Sequence, residues 1–375
     1  MKFVIAPDKY KGSLSGFEFC DAVEEGLQLV FKEATILKKP LADGGDGTIA
    51  IVKHYLQGSI QEVTVLDPLF RPIKASYFYD KIKKTAFIEM AEASGLKLLK
   101  KEDRNCMHTT TFGTGELILD ALKKGASKII LGIGGSATND GGMGMATALG
   151  YQFLDIHGQT IQPIGANLSQ VATINDSKVF PELAAVDIVV ACDVTNPLYG
   201  PQGSAYVYAK QKGASPEEIA FLDVGLQTYA QVVYTYAQID VQAIEGAGAA
   251  GGMGAGSHVF LKARLTSGVD LIKEIADFDT ALKDTDWIIT GEGQLDRQTL
   301  SGKTISGVIA AAKQYNIPVA AFCGSIDVTI KDQEEIGITY ATSILSGICT
   351  LDEAIKNSYK NLVMTSYNFA KTLKL

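Results

Sequence analysis

The chain has 375 residues, 46% of them hydrophobic and 20% charged, with a net charge of −8. That length exceeds one ordinary core and suits two domains, and the composition is that of a packed globular protein. The charge excludes a general nucleic-acid binder, which needs a basic surface to displace counterions, while a local basic cluster still suffices for a small anion.

Residues 2–6 are a short apolar run suited to a buried parallel strand. With one lysine before it and Pro7-Asp8 after it, this start reads as strand and loop, not as a signal peptide. Ser13 and Ser15 offer caps for a helix carrying Phe17, Ala22, Val23, Leu27 and Val30 near helical spacing. A second strand is expected over 36–40 and a helix over 49–56. Alternation with β-branched and aromatic residues predicts strands at 61–66 and 73–80, with Asp67-Pro68 and Arg71-Pro72 marking the turn. Further strands are expected at 85–90, 128–133, 188–192, 287–290 and 319–323, with helices at 114–124, 302–315 and 351–372. The tyrosines between 229 and 236 read as packing, and His54, His108, His157 and His258 lack metal-ligand spacing. No apolar run approaches the roughly 18 to 20 residues of a membrane helix, so no membrane partner is expected. Five scattered cysteines without a C-x-x-C pair argue against a disulfide framework or zinc site and for a reducing cytoplasm.

The pattern predicts an α/β fold of two domains. A Rossmann-like or flavodoxin-like parallel-sheet domain, built from both chain ends (1–60 plus 266–375), takes an inserted mixed α/β domain (61–265).

Glycine is the informative count: 38 residues, gathered beside acids, amides and hydroxyls after apolar strands. Lys9 and Lys11 sit beside a helix start and can hold an anion, although on that segment alone a solvated loop with capping serines is the better reading. Asp43-Gly44-Gly45-Asp46-Gly47-Thr48 joins two carboxylates with little bulk, a hard-oxygen set that suits magnesium; an Asp/Gly turn is the plain alternative. The run 132–144 follows a strand and precedes a small-residue helix, so its amides are expected to face an anion; it contains Gly134, Gly135, Ser136, Asn139 and Asp140. Asp193 and Asn196 follow the strand at 188–192, at a carboxyl end where α/β domains bind ligands. The last segment carries Glu292, Asp296 and Arg297, then Gly302-Lys303-Thr304. It is not a Walker A loop, because Arg297 stands where that motif requires glycine. Gly246-Ala247-Gly248-Ala249-Ala250-Gly251 fits a dinucleotide fingerprint by letter only; a ligand-facing or close-packed loop is the better reading.

Together these segments resemble the bacterial glycerate kinase family. The matching motifs are APDKYKGSLS, LADGGDGT, GIGGSATNDGGMG, CDVTNPL, GAGAAGGMGAG and ITGEGQLDRQT, which appear in the family's order over nearly the whole chain. One departure is Asp8-Lys9-Tyr10-Lys11, where members often have Asp-Ser-Phe-Lys, which leaves Lys11 the safer functional residue. The resemblance implies a two-domain α/β fold with an interdomain cleft, and a kinase with ATP as donor, D-glycerate as acceptor and 2-phosphoglycerate as product; the chemistry of phosphoryl transfer adds magnesium. It makes Lys11, Arg71, Arg297 and Lys303 candidate cations, and Asp43, Asp46, Asn139, Asp193 and Asp296 candidate hydroxyl or metal contacts. Lys11, Asp193 and Asp296 are the candidate catalytic residues, Asp193 as acceptor of the hydroxyl proton, and Asp43, Asp46 and Asp296 the candidate magnesium ligands. The competing readings are a cytoplasmic two-lobed solute-binding protein and a kinase for another small hydroxy acid.

Overall fold

The computed structural model describes residues 1–10, 12–42, 48–296 and 304–374. The chain forms two compact units, Met1–Tyr55 with Ser267–Leu375, and Leu56–Thr266.

The first unit opens with β1 (Lys2–Ile5), the helix Gly16–Gln28, β2 (Thr35–Lys38) and the helix Thr48–Tyr55. Ser15 starts the first helix with a capping box: its hydroxyl accepts from the Glu18 N–H, and the Glu18 carboxylate accepts from the Ser15 N–H. The chain then enters the second unit with the hairpin β3 (Ser59–Leu66) and β4 (Pro72–Asp80), followed by β5 (Thr85–Glu89), the helix Phe112–Lys123 and β6 (Lys128–Gly132). The helix Met143–Ala148, the short pair β7 (Gln152–Leu154) and β8 (Thr173–Asn175), and β9 (Asp187–Ala191) come next. The helices Pro216–Ala237 and Ala249–Phe260 and β10 (Arg264–Thr266) complete the unit. The 22-residue helix Pro216–Ala237 holds the tyrosines read from sequence as packing; Tyr229 lies in the core, but Tyr234 is 51% exposed. This helix is not among those expected from sequence, although Ser215 and Glu218 make a capping box with Pro216 at N1.

The chain returns to the first unit through the helices Gly268–Ile275 and Phe278–Leu282, β11 (Trp287–Thr290) and β12 (Gln294–Leu295). It ends with the helix Thr304–Tyr315, β13 (Val319–Cys323), β14 (Ser325–Ile326), the helix Ile330–Ile336, β15 (Tyr340–Ser343) and the helix Leu351–Leu373.

Each unit holds one principal sheet. In the first, β15-β13-β11-β1-β2 are all parallel, so the five strands in chain order lie 2-1-3-4-5, the flavodoxin-like arrangement. The helices Gly16–Gln28 and Leu351–Leu373 pack together, and Thr304–Tyr315 packs with Gly268–Ile275, Phe278–Leu282, β11 and β13. In the second unit the order is β10-β9-β6-β5-β4-β3, parallel from β10 to β5 and antiparallel through β4 and β3. The cores are separate clusters: Phe3, Phe19, Ile289, Phe322 and Phe369 among others in the first, and Ile88, Leu131, Phe153, Val190 and Phe260 among others in the second.

The helix pair in the first unit depends on one glycine. A Cβ at Gly26 would lie 2.6 Å from the Ser366 Cβ and 2.9 Å from the Tyr367 N, and would also overlap the Val363 carbonyl. Because two of those atoms are backbone, the helices must separate to admit a methyl. Gly26→Ala is therefore expected to destabilise the protein by about 1–3 kcal/mol, read as a lower urea midpoint; an unchanged midpoint would show that the helices part freely.

Candidate functional site

In the second unit the strands β5, β6 and β9 run parallel, so their carboxyl ends share one edge of the sheet. The antiparallel β4 begins at Pro72 beyond that edge, which brings the Asp67–Arg71 turn to the same side. The carboxyl edge thus gathers Arg71, the glycine loop after β6, and the segment after β9 with Asp193 and Asn196.

The glycine loop has two halves with different reasons for their glycines. In the front half, Gly134 and Gly135 are exposed; a Cβ at Gly134 would meet nothing within 4 Å, and one at Gly135 only the Ala91 Cβ at 3.4 Å. Gly135 has φ +71°. The backbone beside them is pinned: Leu96 N–H donates to the Gly135 carbonyl (2.9 Å) and Ala137 N–H to the Ser94 carbonyl (2.9 Å). In the back half, a Cβ at Gly141 would lie 2.7 Å from the Tyr229 ring, and one at Gly142 3.0 Å from the Gly256 Cα. These glycines serve packing. The run 246–256 presses on them: Ala250, Gly251 and Gly252 all take left-handed conformations, and Gly141 N–H donates to the Gly251 carbonyl (2.9 Å). Its glycines are close-packed, one of the two readings open in the sequence.

Asp140 joins these parts. It is fully buried and accepts from Thr111 N–H (2.8 Å), Thr111 Oγ1 (2.8 Å), Gly142 N–H (3.2 Å) and Gly144 N–H (3.1 Å). Burial pushes its carboxyl above the usual range, and those donors pull it back. Thr110 N–H donates to the Pro68 carbonyl (3.0 Å), which ties the Arg71 turn to the same assembly. Asn139 is also fully buried; its Oδ1 accepts from Ser204 Oγ at 3.3 Å, while its Nδ2 has no partner among the described residues.

The other candidates are placed as follows. Arg71 is half exposed and pairs with Asp67 (2.6 Å) and Asp103 (3.4 Å). Asp193 is exposed, and the Asn196 amide accepts from Tyr208 Oη (2.6 Å) and donates to the Gln202 carbonyl (2.9 Å). That amide braces the loop carrying Asp193.

In the first unit the direction of winding reverses between β1 and β11, the switch point where this sheet order binds ligands. The loops there are tied together. Asp8 N–H donates to the Gly291 carbonyl (3.0 Å), Thr290 Oγ1 to the Ala6 carbonyl (2.8 Å), and Leu41 N–H to the Pro7 carbonyl (2.9 Å). The Asp8 carboxylate accepts from Thr304 Oγ1 (2.6 Å) and from Lys9 N–H (2.7 Å). Lys9, Glu292 and Asp296 are part-buried on these loops. Tyr10 is held by burial well above its ordinary value, a neutral donor to the Phe322 carbonyl at 2.7 Å. Lys11, Asp43, Gly44, Gly45, Asp46, Arg297 and Lys303 lie outside the described residues. Among the described residues no group of three His, Cys, Asp or Glu side chains is placed to hold a metal.

Sequence reasoning missed Asp8, Thr304 and Lys212. Asp8 and Thr304 are 296 positions apart and meet only in the folded unit. Lys212 is 3% exposed, and its Nζ donates to Ser136 Oγ (2.8 Å) and the Thr138 carbonyl (2.8 Å). Nothing in the spacing around Ala209-Lys210-Gln211-Lys212 marks it as buried.

Asp140→Asn turns acceptor lone pairs into donors facing donors. It is expected to destabilise the protein by about 2–4 kcal/mol, since several bonds to a charged acceptor are lost together. Guanidinium unfolding measures this, and a variant within about 0.5 kcal/mol of wild type would deny Asp140 its structural role.

The glycerate kinase family profile matches residues 3–374. A glycerate kinase of Bacillus cereus is 44% identical over 375 residues, covering 100% of this chain and 98% of the relative. A glycerate 2-kinase of Escherichia coli K12 is likewise 44% identical, with the same coverage of 100% and 98%. A crystal structure from Salmonella typhimurium LT2, assigned as glycerate kinase 2, matches with a TM-score of 0.86 at 44% identity, covering 100% of this chain and 98% of that one. With motifs and fold matching over the full length, the chain is an enzyme of the glycerate kinase family.

Proposed function

We propose that this enzyme transfers the γ-phosphoryl group of magnesium-bound ATP to D-glycerate in the cytoplasm, with 2-phosphoglycerate as product. The observation that carries this reading is the full-length 44% identity to a glycerate 2-kinase. Among the described residues no helix is long and apolar enough to cross a membrane.

The chemistry asks for positioning, charge neutralisation and exclusion of water more than for covalent help. Lys9, Lys11, Arg71, Arg297 and Lys303 supply cations for the carboxylate and phosphates. Gly134, Gly135 and Ser136 offer donors, and Asn139, Asn196 and Glu292 hold or contact the reactants, whereas Asp140, expected beside them from sequence, is fully buried and holds the loop in place. Asp43, Gly44, Gly45, Asp46 and Asp296 form the set that would hold the magnesium of the nucleotide, which arrives as part of the substrate; carboxylate oxygens are the ligands that ion prefers. Asp193 accepts the proton of the attacking hydroxyl as its oxygen bonds to the γ-phosphorus and the bond to ADP breaks. Its place after β9, on an exposed loop braced by the Asn196 amide, supports this role.

ADP release should depend on D-glycerate and on a divalent ion, with 2-phosphoglycerate identified by phosphorus NMR. The reading is lost if no small hydroxy acid stimulates ATP use, and its product is wrong if 3-phosphoglycerate accumulates. Asp193→Asn should lower kcat by about 10² to 10⁴ while leaving ATP affinity nearly intact. A variant within a few-fold of wild type removes Asp193 from the base role. Lys11→Ala should cost roughly ten- to a hundredfold in kcat/KM, the worth of one charge-assisted bond, and Lys9→Ala less; equal effects would contradict the ranking.

A further inference from the structure

Lys212 is a buried cation whose ammonium is not bonded directly to any carboxylate among the described residues. Its Nζ, which carries three N–H donors, has two partners, both neutral oxygens. A charge in that position is costly unless something neutralises it. The Cys106 thiol and Asp140 favour its charged form, and Glu218, which accepts from Asn105, acts in turn on Cys106. The Asp140 carboxylate is engaged by Thr111, Gly142 and Gly144.

What Lys212 does hold is the open half of the glycine loop. Its partner Ser136 is 8% exposed and follows Gly134 and Gly135, whose backbone N–H groups have no hydrogen-bond partner among the described residues. Gly134 needs neither a left-handed φ nor room for a neighbour, since its Cβ direction is empty. A glycine that neither conformation nor packing demands fits a backbone approached closely by a ligand. Asn139 Nδ2, fully buried and without a partner among the described residues, adds a third such donor on the segment that follows β6.

We propose that the 134–136 loop is an oxyanion subsite of the kinase reaction, and that Lys212 is its positioning residue. Lys212 aligns Ser136 Oγ from below and supplies the positive charge that the anion neutralises. The anion is a carboxylate or a phosphate oxygen. This rests on the kinase reading above and adds to it a residue that no motif marks. Burial pushes the Lys212 ammonium down to about 8, so at that pH it is only partly charged in the resting protein. An anion seated on the loop favours the charged form and draws a proton from solution.

The test is calorimetric titration of the full chain at pH 8 with D-glycerate, MgADP and inorganic phosphate in turn, in buffers of different ionisation enthalpy. The ligand that occupies the loop should bind with uptake of up to about half a proton. Uptake with D-glycerate alone identifies a carboxylate, and uptake with MgADP or phosphate identifies a phosphate oxygen. Lys212→Met should abolish the uptake and weaken that ligand at least 30-fold in KM as well as Kd, and Lys212→Arg should restore part of the affinity. If no ligand binds with proton uptake, or if Lys212→Met keeps both uptake and affinity within threefold, the subsite is overturned. The wild-type measurement decides the matter even if a variant fails to fold. An enzyme that still phosphorylates glycerate under that negative outcome leaves the kinase reading intact, whereas absent glycerate-dependent turnover removes the reading itself.

Discussion

A carboxylate with no exposure to solvent organises the second unit. Asp140 survives burial because Thr111 and the first turn of the helix Met143–Ala148 surround it with donors, so its charge is answered by local dipoles. That arrangement sets the residues around it. A Cβ at Gly144 would fall 2.8 Å from the Asp140 Oδ2 and would also overlap Thr110 Oγ1, so only glycine lets the helix begin there. The chain between Asp140 and that helix turns through left-handed Gly141 and Gly142, against which Gly252 and Gly256 pack. The loop leaving β6 is thereby held at its rear, and its front half stays open to solvent.

The first unit reaches the same end by backbone bonding. Its parallel strands are short, four or five residues each, and the bonds continue past their carboxyl ends. Ala6 N–H donates to the Ile289 carbonyl (2.8 Å), Asp8 N–H to the Gly291 carbonyl (3.0 Å), and Lys39 N–H to the Ile5 carbonyl (2.7 Å). Gly291 is tightly enclosed, with the Phe19 ring 2.6 Å from where its Cβ would lie. The segments that leave the switch point are therefore set by the sheet and by the aromatic core beneath it. Among the described residues of both units an irregular backbone carries the candidate side chains, while regular structure with satisfied hydrogen bonds supports it.

How much of this could be read in advance depended on the range of the signal. Period and capping are local, so the longer parallel strands, the first helix with its Ser15 cap and the hairpin at Asp67–Arg71 were legible, whereas the short edge strands β10 and β15 carried too few residues to show a period. So was the family, because six motifs in a fixed order carry far more information than any one of them. The sequence also determined where polar and glycine residues cluster after strands, and hence most of the candidate site.

Only the tertiary structure decided what each of those residues touches. The motif GIGGSATNDGGMG shows glycines in both halves, yet the front pair faces open space and the rear group is packed against Tyr229, Gly251 and Gly256, over 85 positions further along the chain. The Asn196 amide looked available and is bonded on both sides, and Asp8 meets its hydroxyl partner Thr304 across nearly the whole sequence. Lys212 stands in a stretch that reads as ordinary surface, but the chain turns at left-handed Gly213 and carries its ammonium into the core beneath Ser136. The reason is physical. Hydrogen-bond partners and burial are properties of atoms brought together from distant positions, and a local pattern of residue types cannot specify which of them will meet.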